Sequence, residues 1–181
     1  VMNTTNAFWS HTSYSLFSDH EPQKIYKRID VSDYHGMIFP KCLLSGPIAT
    51  SSVMINAREL KENSNLRFSE KMRYGQDSHL WINIALLYPL EVVPEILTEF
   101  RIRGDNAGWR ARVQIQAKAQ LWEHIRQNRI RYYGKGKVDF VIKVGYVMCF
   151  QINKMLTFLE KTRKFSEKFL EYISKIFYLL P

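Results

Sequence analysis

The 181-residue chain carries 26 Lys and Arg against 17 Asp and Glu, for a net charge of +9, and is 46% apolar and 14% aromatic. That length holds one domain, or one domain with an appendage, large enough to bury a core, and the apolar content excludes a mainly disordered chain. The charge is segregated: residues 1–100 carry 9 basic against 11 acidic side chains, and residues 101–181 carry 17 against 6. The second half therefore calls for an anionic partner, such as a phosphate-bearing ligand, an acidic membrane surface or a nucleic acid.

The N-terminus, Val-Met-Asn-Thr-Thr, has no basic and apolar leader pattern and no initiator methionine, so the expectation is a start inside a longer protein. Ala7 to Phe17 reads as an extended segment, residues 19–22 (Asp-His-Glu-Pro) as a turn, and Lys24 to Ile29 as a second strand. His11, Asp19 and His20 are either metal ligands or, as isolated histidines usually are, solvated or hydrogen-bonded. Asp33 to Leu44 predicts a helix led by an Asp cap and interrupted by Pro40. Gly46 to Ile55 starts as a turn and ends as a buried strand. Thr50, Ser51 and Ser52 within it either satisfy backbone groups in tight packing or line a pocket for a polar ligand. Asn56 to Glu62 predicts a short helix capped by Asn56.

The stretch from Arg73 to Tyr88 is the organising one. Leu80, Trp81, Ile84, Ala85, Leu87 and Tyr88 recur at three- and four-residue spacing as one apolar helical face, fed by a turn at Gly75. Asp77 stands three before Leu80 and four before Trp81, which puts a carboxylate on the inward side of the first turn. It is there either for chemistry or as an N-cap.

Leu90 to Val93 and Ile96 to Arg103 read as two strands separated by Pro94-Glu95. Arg101 and Arg103 share a face beside a Gly/Asp/Asn loop, and either grip phosphate through their guanidinium forks or bridge to Glu95 or Glu99. From Trp109 the period is helical, with one long helix to about Tyr133, a break at Gly134-Lys-Gly136, and helices over Val138 to Leu159 and Phe165 to Leu180. This basic, aromatic tail is either a helical hairpin packed on the domain or an element lying in a membrane interface. Its longest apolar tract, Val138 to Phe150, falls short of the ~20 residues a spanning helix needs. Cys42 and Cys149 read as two buried thiols of a reducing compartment, which implies a cytoplasmic location, peripheral on the inner membrane face if the tail binds lipid. The fold class is mixed α/β followed by a C-terminal helical segment.

Three segments in order, 46–55 (Gly-Pro-Ile-Ala-Thr-Ser-Ser-Val-Met-Ile), 75–81 (Gly-Gln-Asp-Ser-His-Leu-Trp) and 94–106 (Pro-Glu-Ile-Leu-Thr-Glu-Phe-Arg-Ile-Arg-Gly-Asp-Asn), carry a resemblance. Together they resemble the C-terminal half of a family-two glycosyltransferase of the GT-A fold, similar to bacterial enzymes that add sugars in surface polysaccharide assembly. The resemblance covers about residues 5–132 and implies a partial GT-A-like sheet with flanking helices. Residues 1–108 would be the acceptor-side part of the transferase domain and 109–181 basic amphipathic helices. The implied reaction is inverting transfer of a sugar from a nucleotide-sugar to a hydroxyl of a glycan or glycolipid acceptor.

In that family the middle motif is usually Glu-Asp, two variable residues and Leu-Trp, and its Asp is the catalytic base. Asp77 would take that role, with Gln76, Trp81, Thr50 and Ser51 on the acceptor side and Arg101 and Arg103 at the donor diphosphate. A helix N-terminus is a favourable place for the negative charge of such a base. Two positions depart from the pattern: Gln76 stands where Glu is usual, and Arg103 where a His often stands. The family's Asp-x-Asp motif is absent from the chain. The resemblance therefore implies that a divalent metal, Mg or Mn, is ligated by residues absent here, with no metal site in this chain. Alone, the chain is expected to lack donor binding and turnover. The other reading is a non-catalytic membrane-surface or nucleic-acid-binding module; no recognised RNA- or DNA-binding signature is present, so nucleic acid is not an expected partner of the transferase.

Overall fold

The computed structural model describes residues 6–43, 46–103, 110–127, 140–162 and 165–178. The chain divides into two compact units, Val1–Phe68 with Leu80–Gly104, and Ser69–His79 with Asp105–Pro181. The architecture is mixed α/β.

The first unit is built on a four-stranded mixed sheet. Strand β1 (Trp9–Ser18) forms an antiparallel hairpin with β2 (Glu21–Ile29), through pairs running from Tyr14 opposite Ile29 to Ser18 opposite Glu21. The start of β1 pairs antiparallel with β3 (Val53–Ile55), Trp9 facing Ile55 and His11 facing Val53. Along its other edge β1 pairs parallel with β4 (Leu90–Ile102) over its whole length. Helix α1 (Ala57–Glu62) starts on the expected cap: Asn56 Oδ1 accepts from the Arg58 and Glu59 amides at 3.1 and 3.4 Å, and its Nδ2 donates to Glu59 Oε1 at 3.0 Å. Beyond it, Arg67 Nη1 donates to the Leu60 and Asn63 carbonyls that the helix end leaves over, and to the Leu66 carbonyl of the following loop.

Two local readings are corrected. The two strands expected around Pro94-Glu95 are the single strand β4, whose ladder passes from Thr12 opposite Val93 to Ser13 opposite Ile96. The intervening Pro and Glu are left without a partner, which suits a residue that has no N–H to give. The helix expected over Asp33 to Leu44 does not form among the described residues; only Lys41–Leu43 makes a 3-10 turn. Gly36, at φ 74°, exchanges two backbone hydrogen bonds with Leu90, 2.8 and 2.9 Å long, and the Phe39-Pro40 peptide is cis. Pairing with the start of β4 holds this segment extended, and a tertiary bond outweighs a weak local preference.

The core of this unit is aromatic. Trp9 is fully buried, stacks on Trp81 at 5.9 Å and donates its indole N–H to the Tyr88 carbonyl at 3.3 Å. Phe8 lies flat on Tyr88 with centroids 4.0 Å apart. β1 also buries Ser10, His11, Ser13 and Ser15, and Ser13 Oγ accepts from the Val31 amide at 3.2 Å. His11 is thus a core histidine. Its Nε2 donates to the Tyr34 carbonyl at 2.9 Å, which leaves Nδ1 as a buried acceptor without a hydrogen-bond partner. Burial lowers its pKa from 6.5, with the Tyr34 bond opposing in part. The free thiol of Cys42 is pushed up to about 12 by burial, and that of Cys149 is raised by the same cause with Lys118 opposing, so neither is a reactive thiolate.

In the second unit, α3 (Ala111–Gln127), α4 (Phe140–Lys161) and α5 (Glu167–Tyr178) pack together. Ile115, Leu156 and Leu170, one from each, form the buried centre. Helix α3 is capped by another helix: the carboxylate of Glu171 accepts from the Ala111 and Arg112 amides at 2.9 and 3.2 Å. Arg112 then forks onto Glu160 at 2.7 and 3.1 Å and reaches Asn153 and Thr157 along α4. The predicted ends near Tyr133, Val138 and Leu180, and the Gly134-Lys-Gly136 break, lie outside the described residues. Gly75, in the turn before α2 (Gln76–Ala85), has φ 73°, and a Cβ there would stand 3.0 Å from Ala117 Cβ.

Two outcomes follow from this packing. Because the folded state disfavours a protonated His11, the stability it contributes is full above the unfolded value near 6.5 and is lost as pH falls through the lowered folded value. Thermal melts from pH 7.5 to 5 are expected to show this decline, and His11→Gln to flatten it; identical slopes would refute the assignment. Gly75→Ala places a side chain in both a left-handed backbone and a closed space, and a loss of about 1–3 kcal/mol is expected from urea unfolding. An unchanged midpoint would show that neither constraint is real.

Candidate active site

Asp77 is the second residue of α2, two residues before the helix becomes buried on all sides from His79 to Ala85. The single apolar face expected from spacing is therefore widened, with Ile82 and Asn83 also enclosed. Asp77 itself is half-buried, and its Oδ1 accepts from the Ser78 amide at 2.8 Å. Gln76 is exposed and donates its Nε2 to the Met72 carbonyl, so its amide is turned back on the preceding turn. Both residues belong to the second unit.

The remaining candidates belong to the first unit. Trp81 is 6% exposed, stacked on Trp9 and edge-on to Phe68 at 6.4 Å, with its indole N–H buried and lacking a hydrogen-bond partner. Such a buried donor is uncommon and invites an oxygen acceptor. Thr50 and Ser51 are exposed on a 3-10 turn, whereas Ser52 is buried and donates to the Ala49 carbonyl at 2.8 Å. Of the three hydroxyl residues, Ser52 satisfies backbone and the other two face outward.

Arg101, near the end of β4, pairs through Nε with Asp19 Oδ1 at 3.2 Å, an acid the strand spacing does not point to. Both partners are roughly half exposed, so the pair contributes little to stability and can exchange for a stronger anion. Arg103 is exposed just beyond β4. The structure brings Thr50 with Ser51, and Arg101 with Arg103, as two local sets. The sets are apart along the sheet: Val53, after the hydroxyl turn, faces His11, while Arg101 faces Phe17, six residues or about 20 Å further along β1.

One polar arrangement escaped sequence reading. His79, two residues after Asp77, and His124 of α3 meet through their Nε2 atoms at 2.9 Å, with rings crossed at 84°. One Nε2 must donate and the other accept, which fixes opposite tautomers on the two rings at this contact. Nothing in a 45-residue separation signals that contact; only the placement of His79 on the same helix as Asp77 hints at it. Among the described residues no three His, Cys, Asp or Glu side chains converge as a metal site.

The chain is similar to curated proteins of three rickettsiae, each named an uncharacterized glycosyltransferase. It is 36% identical over 105 residues to that of Rickettsia bellii, covering 58% of this chain and 14% of the relative. It is 32% identical over 103 residues to those of Rickettsia felis and Rickettsia conorii, covering 57% of this chain and 16% of each relative. The matched stretch thus spans about one sixth or less of the length of these relatives. No protein-family model matches the chain, and no solved structure matches it.

Proposed function

We propose that this chain supplies the acceptor-side part of an inverting glycosyltransferase, residues 1–108, with the basic helices of 109–181 appended. The observation that supports this most is the 32–36% identity, over more than half of the chain, to proteins named glycosyltransferases. The ordered motifs around Thr50, Asp77 and Arg101 narrow the reading to transfer from a nucleotide-sugar to a hydroxyl of a glycan or glycolipid, in surface polysaccharide or glycolipid synthesis.

In this reading Asp77 is the base. As the acceptor oxygen attacks the anomeric carbon, the carboxylate takes the hydroxyl proton, the bond to the diphosphate breaks on the opposite side, and the nucleoside diphosphate leaves with configuration inverted. A base must be a positioned carboxylate open to its substrate, and a half-buried first-turn Asp is consistent with both needs. Arg101 neutralises the leaving diphosphate after giving up Asp19, with Arg103 beside it. Thr50 and Ser51, exposed on their turn, offer hydrogen bonds to acceptor hydroxyls, whereas Gln76 is engaged by the Met72 carbonyl and Trp81 is packed on Trp9 in the core. A Mg or Mn ion on the donor belongs, in the same reading, to residues outside this chain.

The test is Asp77→Asn in the enzyme that joins this chain to a nucleotide-binding region. Transfer is expected to fall by ~10²-fold or more, the scale of a lost general base, with nucleotide-sugar binding retained in calorimetry. Wild-type turnover in the variant would overturn the assignment of Asp77.

A further inference from the structure

The helices of the second unit leave apolar surface uncovered in an ordered way. At about 100° per residue, Phe140, Val144, Met148, Met155 and Phe158 fall on one stripe of α4, and all are exposed. Phe165, Phe169, Tyr172 and Ile176 make a second exposed stripe leading into and along α5. The opposite sides of the two helices, through Ile152, Leu156, Leu170 and Ile173, are the ones that meet Ile115 of α3. Both stripes therefore turn away from the unit's core. Rows of large apolar side chains on an outer surface mark a contact with something else.

Charge identifies the partner. The same geometry sets exposed Lys154 and Lys161 along one border of the α4 stripe and Lys168 and Lys175 along the corresponding border of α5. Lys154 sets its ammonium over the Phe150 ring, with Nζ 4.8 Å from the centroid, a cation-π contact at the edge of the stripe. At the α5 border a cleft of about 440 Å³ gathers Arg110, Lys168 and Lys175 with Tyr172. Glu167 and Glu171 also line it, but Glu171 is committed to capping α3. A second copy of the chain would bring like charges together across the stripes, whereas an acidic bilayer offers hydrocarbon for the aromatics and phosphates for the lysines. Among the described residues no helix is long and apolar enough to cross a membrane, so the contact is along the surface.

We infer that α4 and α5 dock side by side on an anionic lipid bilayer, their apolar stripes at the headgroup-acyl boundary and the bordering lysines on lipid phosphates. This inference does not depend on the transfer reaction.

It is tested by co-sedimentation of the full chain with vesicles of phosphatidylcholine, alone or mixed with phosphatidylglycerol. Binding to the mixed vesicles is expected, at least ~10-fold tighter than to phosphatidylcholine alone and weakened by salt. Phe158→Ser with Tyr172→Ser is expected to lower it by ~10-fold or more. These side chains are 66% and 64% exposed, so the melting temperature should not move. Lys154→Gln with Lys168→Gln is expected to remove most of the preference for anionic lipid. Failure to sediment with mixed vesicles at low salt, or variants that bind like the parent, would overturn the inference. So would a vesicle-free dimer that the Phe158 and Tyr172 changes dissociate, or an RNA gel shift depending on those residues in place of vesicle binding.

Discussion

β1 is hydrogen-bonded along both of its edges, and the first unit depends on that. On one side it carries β3 and then β2; on the other it carries β4 from Trp9 to Ser18. A strand in this position shows water neither edge, and its side chains are buried on both faces. That explains an odd composition for a central strand, in which Ser10, Ser13 and Ser15 alternate with bulkier neighbours. Small hydroxyls fit where two layers close in and serve as local acceptors, as Ser13 does for Val31. The bulge at Pro94-Glu95 lets β4 follow β1 past a residue that cannot join the ladder.

The helical unit rests on polar bonds at one end of α3. Glu171 satisfies two amides that no turn of α3 can reach, a type of contact worth about 1 kcal/mol, and it does so from α5. Arg112, 11% exposed, binds Glu160, Asn153 and Thr157 on α4, which fixes the α3 to α4 register as apolar packing of Leu and Ile alone would not. Glu160 is 40% exposed, so solvent screens this pair and its weight lies in geometry more than in energy. Three helices are thereby tied through two side chains, Arg112 of α3 reaching α4 and Glu171 of α5 reaching α3.

Periodicity and caps made most of this visible in the sequence. The β1–β2 hairpin, the Asn56 cap, the helix after Gly75 and the three C-terminal helices rest on local rules that the structure obeys. What was hidden is what tertiary contact decides. Asp33 to Leu44 carries a helix cap, yet Gly36 is held by Leu90, 54 residues away. His11, open to several readings as an isolated histidine, is a core residue because Tyr34 offers a carbonyl. Arg101 found Asp19 across the parallel β1–β4 pair, where strand spacing offered Glu95 and Glu99. Of the candidate site, residue types and order were legible, whereas the burial of Trp81 and the His79–His124 pair were not, since both depend on chain segments far from the motif.

Gln76 has a local structural role that bears on its neighbour Asp77. The Met72 carbonyl, in the turn before α2, accepts a hydrogen bond from the Gln76 amide. An ionised Glu at that place has no proton to give, and its oxygens would face the carbonyl oxygen with repulsion. The amide is therefore required by this turn as it is folded, with Gly75 in the left-handed region and close to Ala117 leaving little freedom to refold it. The consequence is that the first turn of α2 holds one carboxylate, Asp77. A single negative charge at a helix start is favoured by the amide dipoles without competition from a like neighbour. Gln76 thus shapes the turn, and the carboxylate of Asp77 is the acidic group of the first turn of α2.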